Sequence, residues 1–367
     1  MQTMKIGIIG CGNISNAYFS ARDRFPILEI AACADLDMDR ARAKAAEWNI
    51  PVACTVDELL AMDEIEIVVN LTIPHAHAEI ALATLEAGKH AYSEKPFAVY
   101  RQDGRRVLDL ARERGLLVGC APDTFLGGGN QTARKALDDG IIGEPVAASA
   151  HMMCHGHESW HPDPEFYYKP GGGPMLDMGP YYLTALVNLL GPVGRLAGSA
   201  TVTFPQRTIG SEPKRGTVID VEVPTHVNGI MQFAGGAIGT ITTSFDVWAA
   251  SHPAIEIYGT EGTMQVPDPN SFGGAVRVRR PSDEGWVELP LSHGYTEQNR
   301  GIGVADMAYA LRSGRTHRVS GDLAYHVLDV MLSFADSWET GKWLELESTC
   351  PRPAMLPVGL EPGQLDD

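Results

Sequence analysis

The run KIGIIGCGNIS, residues 5–15, decides the fold. Its first half is a short apolar stretch rich in β-branched residues, the composition of a strand buried on both faces. Its second half is a glycine turn that opens a helical pattern. Gly10 permits the tight turn, and Gly12 lets the backbone come close to a pyrophosphate resting on the helix N-terminus. Ser15 replaces the usual third glycine and is small enough for close packing of helix on strand. Such glycines are weak evidence alone, and here the context strengthens them. The next apolar strand, LEIAACAD over 28–35, ends in Asp35. An acid at that place bonds a ribose 2′-hydroxyl and repels a 2′-phosphate, which predicts NAD in preference to NADP. Arg40 is the rival feature, as a partner for a 2′-phosphate. Gly10, Gly12, Asn13, Ile14 and Asp35 are the expected cofactor contacts in this stretch.

Working outward, IEIVVNL (65–71), HAYSEKP (90–96) and LLVGC (116–120) continue the series of strands. Helical patterns separate them. Asp37 is placed to cap MDRARAKAAEW, Thr55 and Glu58 form a capping box, and Gly88 stops a further helix. Apolar strands alternating with helices predict a parallel sheet covered on both faces, a doubly wound Rossmann domain over residues 1–123. The pattern then changes. A helix near 129–139, a strand at 145–153 and a His/Pro/Gly/aromatic loop at 154–179 lead to the helix YYLTALVNLL. Short strands dominate from 196 to 290, with a hairpin turn at 234–237, and LAYHVLDVMLSFADSWETG is a closing amphipathic helix. Residues 124–350 are expected as a second α/β domain, and 351–367 as a Pro-rich extended tail.

Of 367 residues, 44% are hydrophobic and 20% charged, enough for two cores. The net charge of −17 argues against nucleic acid or an anionic membrane as partner, since phosphates would be repelled. The six cysteines form no CxxC pair, which fits buried thiols in a reducing cytosol better than disulfides or zinc. No secretory leader and no apolar run of membrane-spanning length is visible, so a cytoplasmic protein is expected.

Ser93-Glu94-Lys95-Pro96 closes a strand on the side where open α/β sheets bind ligands. Lys95 is therefore a candidate to touch both the nicotinamide ribose and a substrate hydroxyl, with Glu94 beside it. Thr72, Pro74 and His77 follow another strand end and are expected to flank a ribose; His75 and His77 equally suit the first turn of a helix. In CHGHESWHPDPEFYYKP (154–170), His155, His157 and His161 invite a metal reading, but the spacing lacks a zinc framework. The loop suits a sugar better: Trp160 for a C–H face, His157 and His161 for hydroxyls.

The GCGNIS turn, the SEKP strand end, GGGPMLDMG, QFAGGAIGTITTSF and IEIYGTEGTMQV resemble the glucose–fructose oxidoreductase / inositol dehydrogenase / rhizopine-catabolism (Gfo/Idh/MocA) family along nearly the whole chain. The resemblance implies a second domain with an open, mostly antiparallel sheet, an NAD-dependent reaction on a secondary hydroxyl of a sugar, glycoside or cyclitol, and homodimers or homotetramers formed through that sheet. It needs no metal. The family's EKP lysine is Lys95 here. The aspartate of its D-x-x-x-H motif is Asp177, and Tyr181 occupies the histidine position. Removing a hydride from a carbinol requires a base for the hydroxyl proton, and a free tyrosine, with a pKa of about 10, is a poor one at neutral pH. Either Tyr181 exchanges the proton with help from the Lys95 ammonium, or Lys95 does so while Tyr181 orients the hydroxyl. Asp177 holds the sugar.

Two other functions fit the same residues. Some relatives are glycosidases that oxidise a sugar transiently, eliminate the aglycone and reduce the product with the same NAD. A non-catalytic NAD-sensing regulator is the third reading, against which the retention of Lys95 and Asp177 speaks.

Overall fold

The structure, a computed structural model, describes residues 2–366. The chain divides into two compact units. The first holds the segment up to Gln131, Ser292–Tyr325 and the segment from Pro353; the second holds Thr132–Leu291 and His326–Arg352.

The first unit is built on β1 (Met4–Ile9), β2 (Leu28–Ala34), β3 (Val52–Cys54), β4 (Ile67–Asn70), β5 (His90–Ser93) and β6 (Val118–Cys120), in the order β3-β2-β1-β4-β5-β6. Every neighbouring pair is parallel. The strands are apolar because helices cover both faces: Ile9, Ala32, Ala34, Leu59, Ile65 and Val68 belong to one buried cluster. The caps fall where local sequence places them. Asp37 accepts from the Asp39 and Arg40 amides, and Thr55 with Glu58 forms a full capping box. Such a cap contributes about 1 kcal/mol. Strand order reverses between β1 and β4, which leaves a crevice at their carboxyl ends, the ligand side of such sheets.

Two segments beyond residue 290 complete this unit, in contrast to the expected assignment of 124–350 to the second domain. Ser320 bridges Gly119 at the β6 edge. Asp123 accepts from the backbone amides of Gly301 and Gly303, 178 and 180 residues away. The tail has no helix or strand in its described part, but it is fastened: Tyr295 and Tyr309 donate to the carbonyls of Gln364 and Gly363, and Arg315 pairs with Asp366. Contacts of this range leave no mark on local periodicity.

The second unit carries β7 (Pro145–Met153), β8 (Val193–Thr201), a separate ribbon of β9 (Gln206–Thr208) and β10 (Val218–Asp220), then β11 (His226–Phe233), β12 (Ile238–Ser244), β13 (Ile255–Gly259), β14 (Thr263–Val266), β15 (Val276–Arg279), β16 (Val287–Leu289) and β17 (Leu344–Glu345). Nine of these form one open sheet, β16-β15-β14-β13-β7-β12-β11-β8-β17, in which only β7 and β12 pair in parallel. The hairpin expected at 234–237 joins β11 to β12. Along β11 the residues alternate between a buried and a more open face, as a sheet covered on one side requires. The helix Gly179–Leu190 is buried through Leu189, which explains its uninterrupted apolar sequence.

The segment 154–179, expected as loop, contains two short helical pieces, a 3₁₀ turn at Glu165–Tyr168 and an α-helix at Gly173–Asp177. Asp177 is thereby the last residue of a helix whose first turn carries Pro174.

Candidate active site

In the first unit the glycine turn has two distinct constraints. Gly10 has φ +99°, and a Cβ there would lie 2.7 Å from the Leu71 carbonyl carbon, so the turn is wedged against the end of β4. A Cβ on Gly12 would meet nothing within 4 Å, so the backbone there borders open space. Asn13 and Ile14, next along the turn, are exposed. Asp35 accepts from the Cys11 amide at 2.8 Å and the Asp37 amide at 2.9 Å, which draws its carboxylate against the glycine turn. Arg40 lies 3.5 Å from the same carboxylate and 3.6 Å from Asp37. An open glycine turn beside an anchored strand-end acid fits a dinucleotide: amides for the pyrophosphate, a carboxylate for the ribose diol.

The residues after β4 and β5 form a second group. Thr72 donates its hydroxyl to Asn70 at 2.6 Å, and Pro74 opens a 3₁₀ turn. His77 is buried. Its ring spans the Pro96 carbonyl at 2.7 Å and the Thr72 carbonyl at 3.0 Å, so it ties the two strand-end loops together. Burial lowers its pKa, against the pull of the two carbonyls. Glu94 is also enclosed. It accepts from the Tyr18 hydroxyl at 2.8 Å, from Arg300 at 3.3 Å and from the Lys95 amide at 3.1 Å. Burial pushes its pKa up, but Arg300, Lys95 and Tyr18 outweigh that and hold it below the usual carboxylate range. The Glu94 carboxylate therefore sets the backbone that carries Lys95, a role its place in the sequence does not reveal.

In the second unit, four of the five expected substrate residues converge. His157 Nε2 lies 3.4 Å from Asp177 Oδ2, the side chains being 13% and 16% exposed. Ring centroids of His157 and Trp160 are 5.2 Å apart, and those of Trp160 and His161 5.4 Å. Trp160 is 60% exposed and so presents an open aromatic face. His161 has its Nδ1 occupied by the Asp163 amide at 3.0 Å, which leaves Nε2 for a ligand. Tyr181 is buried one turn after Asp177, near the start of the helix Gly179–Leu190. The glycines before Asp177 serve close backbone packing: a Cβ on Gly172 would lie 2.3 Å from the Phe166 carbonyl oxygen. Among the described residues no group of three His, Cys, Asp or Glu is arranged to hold a metal ion.

Sequence reasoning missed the group that stiffens this cluster. Arg207, on β9, donates to Glu158 at 2.8 Å and pairs with Asp246, and its guanidinium lies 5.6 Å from the Tyr168 ring centroid and 4.8 Å from that of Phe204. The Tyr168 hydroxyl donates to Glu158, and Thr225 donates to Asp246 at 2.8 Å. An arginine at 207 carries no local signal, because its partners sit 49 and 39 residues away.

A parallel six-stranded sheet with an open glycine turn, joined in one chain to an open mixed sheet, defines a two-unit protein whose first unit is of the Rossmann type. Residues 4–121 match the oxidoreductase family with the NAD-binding Rossmann fold, and residues 130–265 match the GFO/IDH/MocA C-terminal domain. The chain belongs to the GFO/IDH/MocA oxidoreductase family. It is 30% identical over 204 residues to an uncharacterized oxidoreductase of Schizosaccharomyces pombe, covering 52% of this chain and 53% of that protein, so it spans about half of that relative's length. It is 27% identical over 298 residues to the 1,5-anhydro-D-fructose reductase of Ensifer adhaerens, covering 78% of this chain and 82% of the reductase. A crystal structure of an NAD binding oxidoreductase from Klebsiella pneumoniae has the same fold, with a TM-score of 0.82 at 24% identity over 94% of this chain and 99% of that one.

Proposed function

We propose that the protein is an NAD-dependent oxidoreductase acting on a secondary hydroxyl of a sugar, glycoside or cyclitol. The observation that carries this reading is the carboxylate, imidazole and open indole of Asp177, His157 and Trp160 in one cluster. Hydroxyl-binding groups beside an aromatic face suit a carbohydrate ring. The similarity to a sugar reductase supports the same substrate class.

In this reading Gly10, Gly12, Asn13 and Ile14 hold the pyrophosphate, and Asp35 accepts from the ribose hydroxyls. NAD is favoured over NADP because a 2′-phosphate would meet the Asp35 carboxylate, while Arg40 is already drawn to Asp35 and Asp37. Thr72, Pro74 and the His77 tie shape the ribose side, and Glu94 fixes Lys95. The nicotinamide, when bound, supplies the hydride acceptor or donor. Lys95, Asp177 and Tyr181 are assigned to the reacting carbon: the Lys95 ammonium binds the hydroxyl oxygen, Asp177 holds the sugar, and Tyr181 lines the site. Among the described residues no helix is long and apolar enough to cross a membrane, and the six thiols form no disulfide, which suits a reducing cytoplasm.

The test is reduced-nicotinamide absorbance when a panel of sugars, glycosides and cyclitols is offered with NAD. A rise that requires Lys95 supports the reading, and silence across the panel with both NAD and NADP would sink it. Release of an aglycone without net NADH would replace it with the redox-glycosidase reading. Tight NAD binding with no turnover of any kind would replace it with the sensor.

A further inference from the structure

We propose that His157, not Tyr181, exchanges the substrate hydroxyl proton, with Asp177 orienting its ring. This rests on the carbinol oxidoreductase reading and names the acid/base group within it. The sequence leaves a tyrosine where a base is needed, and tyrosine's ordinary pKa is far above neutrality, whereas an imidazole titrates close to it.

The geometry supplies what a base requires. A carboxylate only accepts, so Asp177 Oδ2, 3.4 Å from His157 Nε2, favours a ring hydrogen on that nitrogen, which would leave the lone pair on Nδ1. The ring is walled by Tyr167, Phe245 and Trp160, with centroids 4.4, 4.7 and 5.2 Å away and interplanar angles of 63–68°. Its carbonyl accepts from the Trp160 and His161 amides, and the next residue, Glu158, is held by Arg207 and Tyr168. The position of the ring is thus constrained. Charged and titratable groups near the ring include Asp177 from its helix, Tyr167 and Tyr168 from the 3₁₀ turn, Cys154, Glu158 and His161 from its own loop, and Arg207 with Asp246 behind Glu158.

With NAD held at the glycine turn and Asp35, the nicotinamide would accept the C–H pair of the carbinol as hydride. The O–H pair becomes the second C–O bond, and the proton passes to His157 Nδ1. Reduction returns that proton to the alkoxide. Tyr181 then orients the hydroxyl without changing protonation.

The experiment compares the full-length protein with H157Q and Y181F, using a substrate that the wild type turns over. H157Q is expected to lower kcat by about 10²–10⁴-fold with little change in KM and to abolish the acid limb of the kcat–pH profile. Y181F is expected to cost less than about tenfold and to keep that limb. An H157Q enzyme within about threefold of wild type with its limb intact, or a Y181F enzyme that loses the limb, overturns the proposal. A second measurement needs neither turnover nor a folded H157Q. Histidine ¹⁵N NMR of the ligand-free protein should give an Nε2–H tautomer for His157 that D177N disturbs; an Nδ1–H tautomer indifferent to D177N overturns the proposal as well. If K95A abolishes turnover while H157Q does not, this assignment fails and the oxidoreductase reading stands. If the wild type oxidises or reduces nothing, the parent reading fails and the catalytic role falls with it.

Discussion

Arg207 donates to Glu158 at 2.8 Å with the two side chains only 4% and 11% exposed, and the same guanidinium also holds Asp246. One cation thus serves two buried carboxylates. Replacing it with methionine leaves both without a counter-charge, which costs about 3–5 kcal/mol. Thermal unfolding of R207M should fall accordingly, and D246N added to R207M should recover part of the loss. Strictly additive effects in this double-mutant cycle would mean that the pair is not coupled.

The glycine turn predicts two different outcomes from the same substitution. Gly10→Ala forces a Cβ to within 2.7 Å of the Leu71 carbonyl carbon at φ +99°, so it should lower the unfolding midpoint. Gly12→Ala adds a methyl where nothing lies within 4 Å, so the fold should keep its midpoint. NAD affinity should drop about tenfold or more, equivalent to roughly 1.4 kcal/mol, because the methyl stands where the pyrophosphate passes. Calorimetry of NAD binding separates the two cases.

Cofactor choice should turn on Asp35. Asp35→Ser removes the charge that a 2′-phosphate would meet and releases Arg40 from one of its two carboxylate partners, leaving Asp37 at 3.6 Å. The ratio of NADPH to NADH dissociation constants should fall by about tenfold or more, read by fluorescence titration. An unchanged ratio would assign selectivity elsewhere.

Stability should depend on pH through His326. Its ring is fully buried; Nε2 accepts from the Val193 amide at 3.0 Å, and Nδ1–H reaches Ser348 Oγ at 2.9 Å, so only the neutral form satisfies both contacts. Burial lowers its pKa from 6.5 to about 4, with Asp329 opposing. The unfolded chain takes up this proton as pH falls past about 6.5 and the folded chain only near 4, so stability declines with falling pH in that window. The full effect is about 3 kcal/mol. His326→Gln should flatten the curve of unfolding free energy against pH by about one proton, measured by urea titration.

Self-association is predicted through the outer face of the nine-stranded sheet. Ile230 and Ile238 stand on that face, 44% and 51% exposed on adjacent strands. Ile238→Arg should shift a dimer or tetramer toward monomer in sedimentation velocity. A wild type that sediments as a monomer would rule the interface out.

Much of the first unit was legible because its signals are local. The apolar run before Gly10, the acid at 35, the cap at Asp37 and the Thr55–Glu58 box each depend on neighbours within a few residues. The helix ending at Asp177 was not legible: three glycines and a proline read as loop, although Pro174 sits in the first turn where its missing amide costs nothing. The strand-end positions of His77 and Glu94 were legible. Their work as internal ties was not, since the Pro96 carbonyl, Tyr18 and Arg300 reach them from elsewhere in the chain.

By itself the sequence determined the strand, glycine turn and acid of the nucleotide half, the order of strands and helices, and the family resemblance that marks Lys95 and Asp177. Those features are set by periodicity, steric freedom and residue type along a continuous stretch. Only the tertiary structure decided that His157 meets Asp177 across nineteen intervening positions, that Arg207 braces their loop, and that Ser292–Tyr325 and the segment from Pro353 complete the first unit. Pairings of that kind follow from how buried charges and hydrogen-bonding groups find partners once the chain has collapsed, and a linear pattern carries no distance between them.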